Sequence, residues 1–277
     1  MNEKIRAKKS LGQHFLNSRH VLEQIISAAE IKDGETVLEI GPGTGVLTAA
    51  LLNAGAKVVA VEKDDRAHEI LKEKFPTECA SGQLNIIHGD ILDDDIFTIR
   101  SSPLSKASEG SYAIVANIPY YITGAILEKF LEHEPRPNRM VLLVQKEVAE
   151  RIVARDGKES VLSISVKAFG TPRIIAKVPR GAFTPAPKVD SAILAIDDIS
   201  GAHFQWNYSP NIKRLFDLVR AGFAHKRKFL KRNLEAIANR EHLNKAWKDL
   251  GLGDKTRAED LTIGQWLSLS TELHKTP

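Results

Sequence analysis

The stretch from Thr36 to Leu51 constrains the fold of this chain more than any other. It reads Thr-Val-Leu-Glu-Ile-Gly-Pro-Gly-Thr-Gly-Val-Leu-Thr-Ala-Ala-Leu, an apolar strand, a glycine-rich turn and an amphipathic helix. That order is the first βα unit of a nucleotide-type fold. Gly41, Gly43 and Gly45 alternate, so the backbone can turn sharply at the carboxyl end of the strand and lie bare against a ligand. A dinucleotide fingerprint needs a third small residue three positions after its second glycine, and Val46 stands there. The spacing therefore disfavours an NAD-dependent oxidoreductase.

Glu39 precedes Gly41 by two positions, and the resulting Glu-x-Gly-x-Gly-x-Gly run resembles the first motif of S-adenosylmethionine-dependent methyltransferases. Three further βα units follow, with strands predicted at 57–62, 84–88 and 112–116. Strands alternating with helices imply a parallel, doubly wound sheet, and ligands of such sheets sit at the carboxyl rim. Glu62 ends the first of these strands, the second of the sheet in chain order, where a carboxylate can accept both ribose hydroxyls of a nucleoside. Asp90 follows the next strand and can accept from an adenine amino group. The pattern continues with strands at 140–144, 174–178 and 192–196 and with helices at 21–29, 124–131 and 146–154. Residues 100–111 are Ser-rich and aperiodic and read as an exposed loop.

Chemistry is expected at Asn117-Ile118-Pro119-Tyr120, where the fourth strand ends. An exocyclic base amine is a poor nucleophile because its lone pair is delocalised into the ring. The Asn117 side-chain oxygen and the Ile118 carbonyl, held by Pro119, can accept both amine hydrogens and draw that pair back onto nitrogen. Tyr120 offers a stacking face for the base. Phe183 opens a proline-punctuated linker running to Ser191, which emerges near the rim, so Phe183 can face Tyr120 across a flipped base. The methylated ammonium is acidic and sheds its proton unaided, so no general base is assigned.

The net charge of +4 is mild, but its distribution is uneven. Residues 205–277 carry 14 Lys and Arg against 8 Asp and Glu, which leaves residues 1–204 at −2. A basic segment beside a slightly acidic body suggests a polyanionic partner. Lys226, Arg227, Lys228, Lys231 and Arg232 crowd into seven residues, and a basic arm occupies residues 1–10. Helices are predicted near 212–223, 230–238, 242–250 and 263–273. The single cysteine, Cys79, excludes an intrachain disulfide, and the charged amino terminus offers no signal-peptide run. A cytoplasmic, membrane-free monomer without a metal is expected.

Taken in order, these pieces resemble the KsgA-type small-subunit ribosomal RNA adenine dimethyltransferases over nearly the whole chain. The resemblance rests on Gly12 to Leu16, Glu39 to Gly45, Glu62, Asp90, Asn117 to Tyr120, Phe183 to Ser191, Arg220 to Leu234 and Arg257 to Leu261. It implies a Rossmann-like class I methyltransferase domain with a seven-stranded, mostly parallel sheet, followed by a small all-helical domain. The boundaries read as 1–203 and 204–277. By position, His14, Leu16, Gly41, Glu62, Asp90 and Asn117 carry over as cofactor contacts, with Gly43 and Gly45 in the same turn, and Tyr120 and Phe183 as partners of the target adenine. His14 and Tyr121 stand where the family usually has Asn.

The expected function is dimethylation of the exocyclic amine of two adjacent adenines in small-subunit ribosomal RNA, with S-adenosylmethionine, during subunit biogenesis. The partner is that RNA or a pre-assembled small subunit, docked on the Lys226–Arg232 cluster. The alternatives are a related large-subunit RNA adenine methyltransferase and a mainly non-catalytic assembly or transcription factor. An intact Asn117 to Tyr120 run speaks against the latter.

Overall fold

A computed structural model describes residues 7, 8, 11–93, 104, 111–200 and 209–273, the side chains of 209–211 excepted. Apart from Ala7, Lys8, Leu104 and Ser111, the amino-terminal arm and the Ser-rich loop lie outside the described residues. The chain divides into two compact units, Met1–Ala149 with Gly170–Ser200, and Glu150–Phe169 with Gly201–Pro277.

The first unit is built on a seven-stranded sheet. Its strands are β2 (Thr36–Ile40), β3 (Lys57–Glu62), β4 (Leu84–His88), β5 (Tyr112–Asn117), β6 (Arg139–Gln145), β7 (Thr171–Val178) and β9 (Ser191–Asp197), in the order β4-β3-β2-β5-β6-β9-β7. The pairings from β4 to β6 are all parallel, and β9 alone runs against both its neighbours. The central strands are continuous apolar runs such as Val58–Val61 and Met140–Val144, all buried. Such runs suit strands covered on both faces. Successive strands step outward from β2 to β4 on one side and from β5 to β6 on the other. The order therefore reverses between β2 and β5, which opens a crevice at their carboxyl ends.

The helices of this unit are α1 (Arg19–Ala29), α2 (Val46–Asn53), α3 (Asp65–Lys74), α4 (Pro76–Ser81) and α5 (Thr123–Glu132). In α1, Ser18 caps the first turn by accepting from the Val21 N–H. Of the apolar spacing Val21, Leu22, Ile25, Ile26 and Ala29, Val21, Ile25 and Ala29 are buried together with Ala28, and Leu22 and Ile26 are partly buried against the same core. A two-stranded pair, β1 (Phe15–Leu16) with β8 (Phe183–Thr184), joins the segment before α1 to the linker before β9. No sequence pattern announces it, because two-residue strands are too short to show a period.

Helix α6 (Lys146–Val153) carries the chain into the second unit, which contains α7 (Val161–Lys167), α8 (Ser209–Phe223), α9 (Leu230–Leu234), α10 (Arg240–Asp249) and α11 (Ile263–Leu273). Among the described residues this unit has no strand. The division differs from the boundary expected at 203/204, since Glu150–Phe169 groups with the carboxyl-terminal helices. Its partners explain why. Phe169 packs its ring 6.1 Å from that of Phe216, the Glu159 N–H donates to the Glu259 carbonyl at 2.8 Å, and Lys158 pairs with Glu259 at 2.8 Å. Helix α7 itself, opened by a Ser160–Ser163 capping box, is not among the helices that periodicity predicts.

Candidate active site

A cavity in the first unit opens over the reversal point of the sheet. Its walls come from the ends of β2, β3 and β5, from the turns after them and after β4, and from residues 11–16. His14, Leu16, Gly41, Gly43, Glu62, Asp90, Asn117, Ile118, Pro119 and Tyr120 all line it. Parallel strands in register explain the convergence: Ile40 pairs with Val61 and Glu62 with His88, so each strand ends at the same level of the rim.

The three glycines of the turn do three different jobs. All have positive φ, yet a Cβ built on Gly41 meets nothing within 4 Å, so it would project into the open cavity. A Cβ on Gly43 would come 2.9 Å from the Phe15 ring, so this glycine admits the β1 segment. Gly45 does not line the cavity. A Cβ there would stand 2.7 Å from the Phe75 ring and 2.8 Å from Leu71, which makes it a packing position behind the turn rather than the ligand contact expected. Lys74, beside them on α3, donates to the Thr44 and Gly45 carbonyls.

Glu62 is buried and braces the turn, accepting from the Gly43 N–H at 2.9 Å and the Asp64 N–H at 2.8 Å. Each carboxylate oxygen keeps a lone pair for a ligand hydroxyl. Asp90 pairs with Lys63 at 2.6 Å and accepts from the Leu92 N–H, and Lys63 holds its carboxyl below the usual range. Glu39 lies buried against the cavity with Oε2 lacking any hydrogen-bond partner among the described residues. Burial pushes its pKa up to about 8, the Glu62 charge adds to the rise, and Thr48 and Lys74 offset part of it.

At the fourth strand end, Asn117 donates from Nδ2 to the His14 carbonyl at 3.0 Å, which leaves Oδ1 as its acceptor. The Ile118 side chain is buried, and its carbonyl accepts no hydrogen bond among the described residues. Pro119 sits at φ −58° and fixes the turn. Tyr120 shares a 2.6 Å hydrogen bond with the Ser191 hydroxyl, and half-burial raises its phenol pKa. Phe183 does not face it. That side chain is 3% exposed, sits in the hydrophobic cluster, and is paired through β8 with Leu16, outside the cavity lining. The ring stacked on Tyr120 is that of His14, at 5.9 Å, while His14 Nδ1 lies 2.8 Å from the Pro185 carbonyl.

Lys8 and Gln13 are tied down by a side chain that no motif singles out. Asp64, whose carboxylate is fully buried, accepts from Gln13 at 3.0 Å, Lys8 at 3.3 Å and Arg66 at 2.6 Å. Arg66, then Gln13 and Lys8, hold its carboxyl far below the ordinary range. The signal available was the acidic cluster Glu62-Lys-Asp-Asp65 directly after a strand.

In the second unit, Lys226, Arg227 and Lys228 form the exposed turn between α8 and α9. The turn is braced from below. Asn233 donates to the Gly222 and His225 carbonyls, and Arg257 donates to the Lys226 carbonyl at 3.1 Å while its guanidinium lies over the Phe229 ring. Arg232 is exposed, whereas Lys231 is half-buried with its ammonium 5.7 Å above the Trp247 ring.

Residues 4–275 match the profile of a family described as ribosomal RNA adenine dimethylase. The chain belongs to that family. It is 41% identical over 271 residues to the ribosomal RNA small subunit methyltransferase A of Dehalococcoides mccartyi, covering 96% of this chain and 88% of that protein. Among solved structures, a dimethyladenosine transferase from Plasmodium falciparum matches with a TM-score of 0.74 and 29% identity, over 92% of this chain and 96% of the other. The 23S rRNA methyltransferase ErmE matches with a TM-score of 0.73 and 26% identity, over 94% of this chain and 100% of its own. The likeness therefore extends over both units and not the sheet alone. No helix among the described residues is long and apolar enough to cross a membrane.

Proposed function

We propose that this protein transfers methyl groups from S-adenosylmethionine to the exocyclic N6 amine of adenines in small-subunit ribosomal RNA, two per base. The observation that carries the reading is that Asn117 and Ile118 both line the cavity bounded by the glycine turn, with Asn117 Oδ1 and the Ile118 carbonyl lacking donors among the described residues. The residues fit the cofactor. Gly41 leaves open space where a side chain would stand, Glu62 and Asp90 keep acceptor capacity for ribose and adenine, and Glu39 presents a buried oxygen that lacks a partner among the described residues. When bound, S-adenosylmethionine supplies an electrophilic methyl on its sulfonium.

The chain's own residues do the rest. The target amine donates to Asn117 Oδ1 and to the Ile118 carbonyl, which pyramidalises nitrogen and directs its lone pair toward the methyl. Both acceptors are in place beforehand, because the His14 carbonyl holds the Asn117 amide and Pro119 holds the turn. Tyr120 supplies the stacking surface, with its hydroxyl anchored on Ser191. After transfer the ammonium loses a proton to water. Phe183, as placed, supports this wall through Leu16 rather than touching the base.

The small-subunit relatives support the small-subunit target over the large-subunit alternative, to which the likeness is structural at lower identity. Lys226, Arg227, Lys228 and Arg232 are the proposed phosphate contacts, with Lys231 at their margin. The test offers labelled cofactor with unmethylated small subunits, naked ribosomal RNA, large subunits and DNA. Label recovered as dimethyladenine from small-subunit RNA is the expected result; label confined to large subunits or DNA sinks the assignment.

A further inference from the structure

Tyr121 is the most exposed large apolar side chain among the described residues, at 65%. It is not a stray surface residue. It lines the mouth of the cavity and lies in the short 3-10 turn Tyr120–Ile122, braced by the Ile122 N–H on the Pro119 carbonyl at 3.1 Å and the Thr123 hydroxyl on the Tyr120 carbonyl at 3.1 Å. One side of its ring rests on Gly12, where an added Cβ would come 3.3 Å from Cδ1 and Cε1. The missing side chain at Gly12 is what lets the ring settle there. Its hydroxyl has no hydrogen-bond partner among the described residues. The turn thus displays two consecutive aromatics with different fates, Tyr120 half-buried with its hydroxyl tied to Ser191, and Tyr121 held in place with most of its surface in solvent.

Drawing a base out of its strand toward Tyr120 leaves the next base without one of its stacking neighbours, a loss that disfavours extrusion. A fixed, exposed aromatic beside the entry point can replace the missing neighbour, and stacking of this kind accepts any base. We propose that Tyr121 is a substrate-binding platform that stacks the unpaired RNA base adjacent to the target adenine. The inference rests on the RNA adenine reading above and adds the second nucleotide of the substrate to it. For a substrate with two neighbouring target adenines, the platform holds whichever one is not reacting.

The test uses the full chain as parent, Tyr121→Ala and Tyr121→Phe. With unmethylated small subunits as substrate, Tyr121→Ala should raise KM about tenfold or more, leave S-adenosylmethionine affinity by calorimetry at the parent's value, and be rescued by Tyr121→Phe, since stacking needs the ring and not the hydroxyl. A direct readout comes from a short single-stranded RNA with 2-aminopurine next to the target adenine. Its fluorescence should be quenched by the parent and by Tyr121→Phe but not by Tyr121→Ala. Parent-like KM and quenching in Tyr121→Ala overturn the proposal. So does weakened cofactor binding with unchanged KM, which makes the ring a cofactor cover. A parent that methylates no RNA adenine overturns the underlying reading, and this inference with it, before any variant is compared.

Discussion

The Asn117 side-chain amide donates to the main-chain carbonyl of His14 at 3.0 Å, between residues 103 positions apart in sequence. The bond does two things. It occupies the amide nitrogen and so leaves Oδ1 as the free acceptor of a cavity-lining residue, and it fastens the 11–16 segment to the end of β5.

Replacing Asn117 by Ala removes an acceptor aimed at charge that develops on the attacking nitrogen. Removing one preorganised interaction of this kind typically costs about a hundredfold or more in rate. Single-turnover methyl transfer with RNA and cofactor saturating should show that decrease, while RNA affinity by filter binding stays near the parent's. Normal turnover would remove Asn117 from the mechanism.

Gly41→Ala and Gly45→Ala separate a ligand position from a packing position. Both residues have positive φ, so each substitution costs roughly 1–2 kcal/mol of backbone strain. Gly45→Ala should lose about 1–3 kcal/mol more, because its methyl meets Phe75 and Leu71. Gly41→Ala, with open space around its methyl, should fold well and lose S-adenosylmethionine affinity instead. Urea denaturation and calorimetry read the two effects; equal unfolding midpoints would refute the distinction.

Glu39 makes stability depend on pH. Its folded pKa of about 8 lies above the ordinary value of 4.5, so the folded state holds the proton more tightly and stability falls as pH rises between those values. A single such group gives a slope of at most about 1.4 kcal/mol per pH unit. Glu39→Gln carries no titrating group, so its stability from pH 5 to pH 8 should decline less steeply than the parent's in urea unfolding. Parallel curves would mean that Glu39 titrates normally.

The triple variant Lys226→Ala, Arg227→Ala, Lys228→Ala should bind small-subunit RNA more weakly with its cofactor affinity unaltered. For every cation that engages a phosphate in the parent, its removal should flatten the slope of log affinity against log salt by roughly 0.7–0.9. A parent-like slope would assign these side chains to bulk solvent and place the RNA-binding surface elsewhere.

The sequence alone determined the βα repeat, the glycine turn and the rim positions of Glu62, Asp90 and Asn117. These are local signals: strand periodicity sets where each strand ends, and parallel strands bring their ends to one level. The all-helical carboxyl-terminal segment was legible for the same reason, since amphipathic spacing is read within one helix. Non-local packing decided the rest. The β1–β8 pairing buries Phe183 on Leu16 and puts His14 against Tyr120, and no pattern within either two-residue strand encodes the other. Gly45 is a packing residue only because Leu71 and Phe75 arrive from α3 and the turn that ends it. Asp64 matters because Lys8 and Gln13 fold back onto it, and Glu150–Phe169 joins the helical unit because its partners lie about fifty to a hundred residues onward. Which side chain fills a given space depends on elements distant in sequence, and that information resides in the fold rather than in any stretch of the chain.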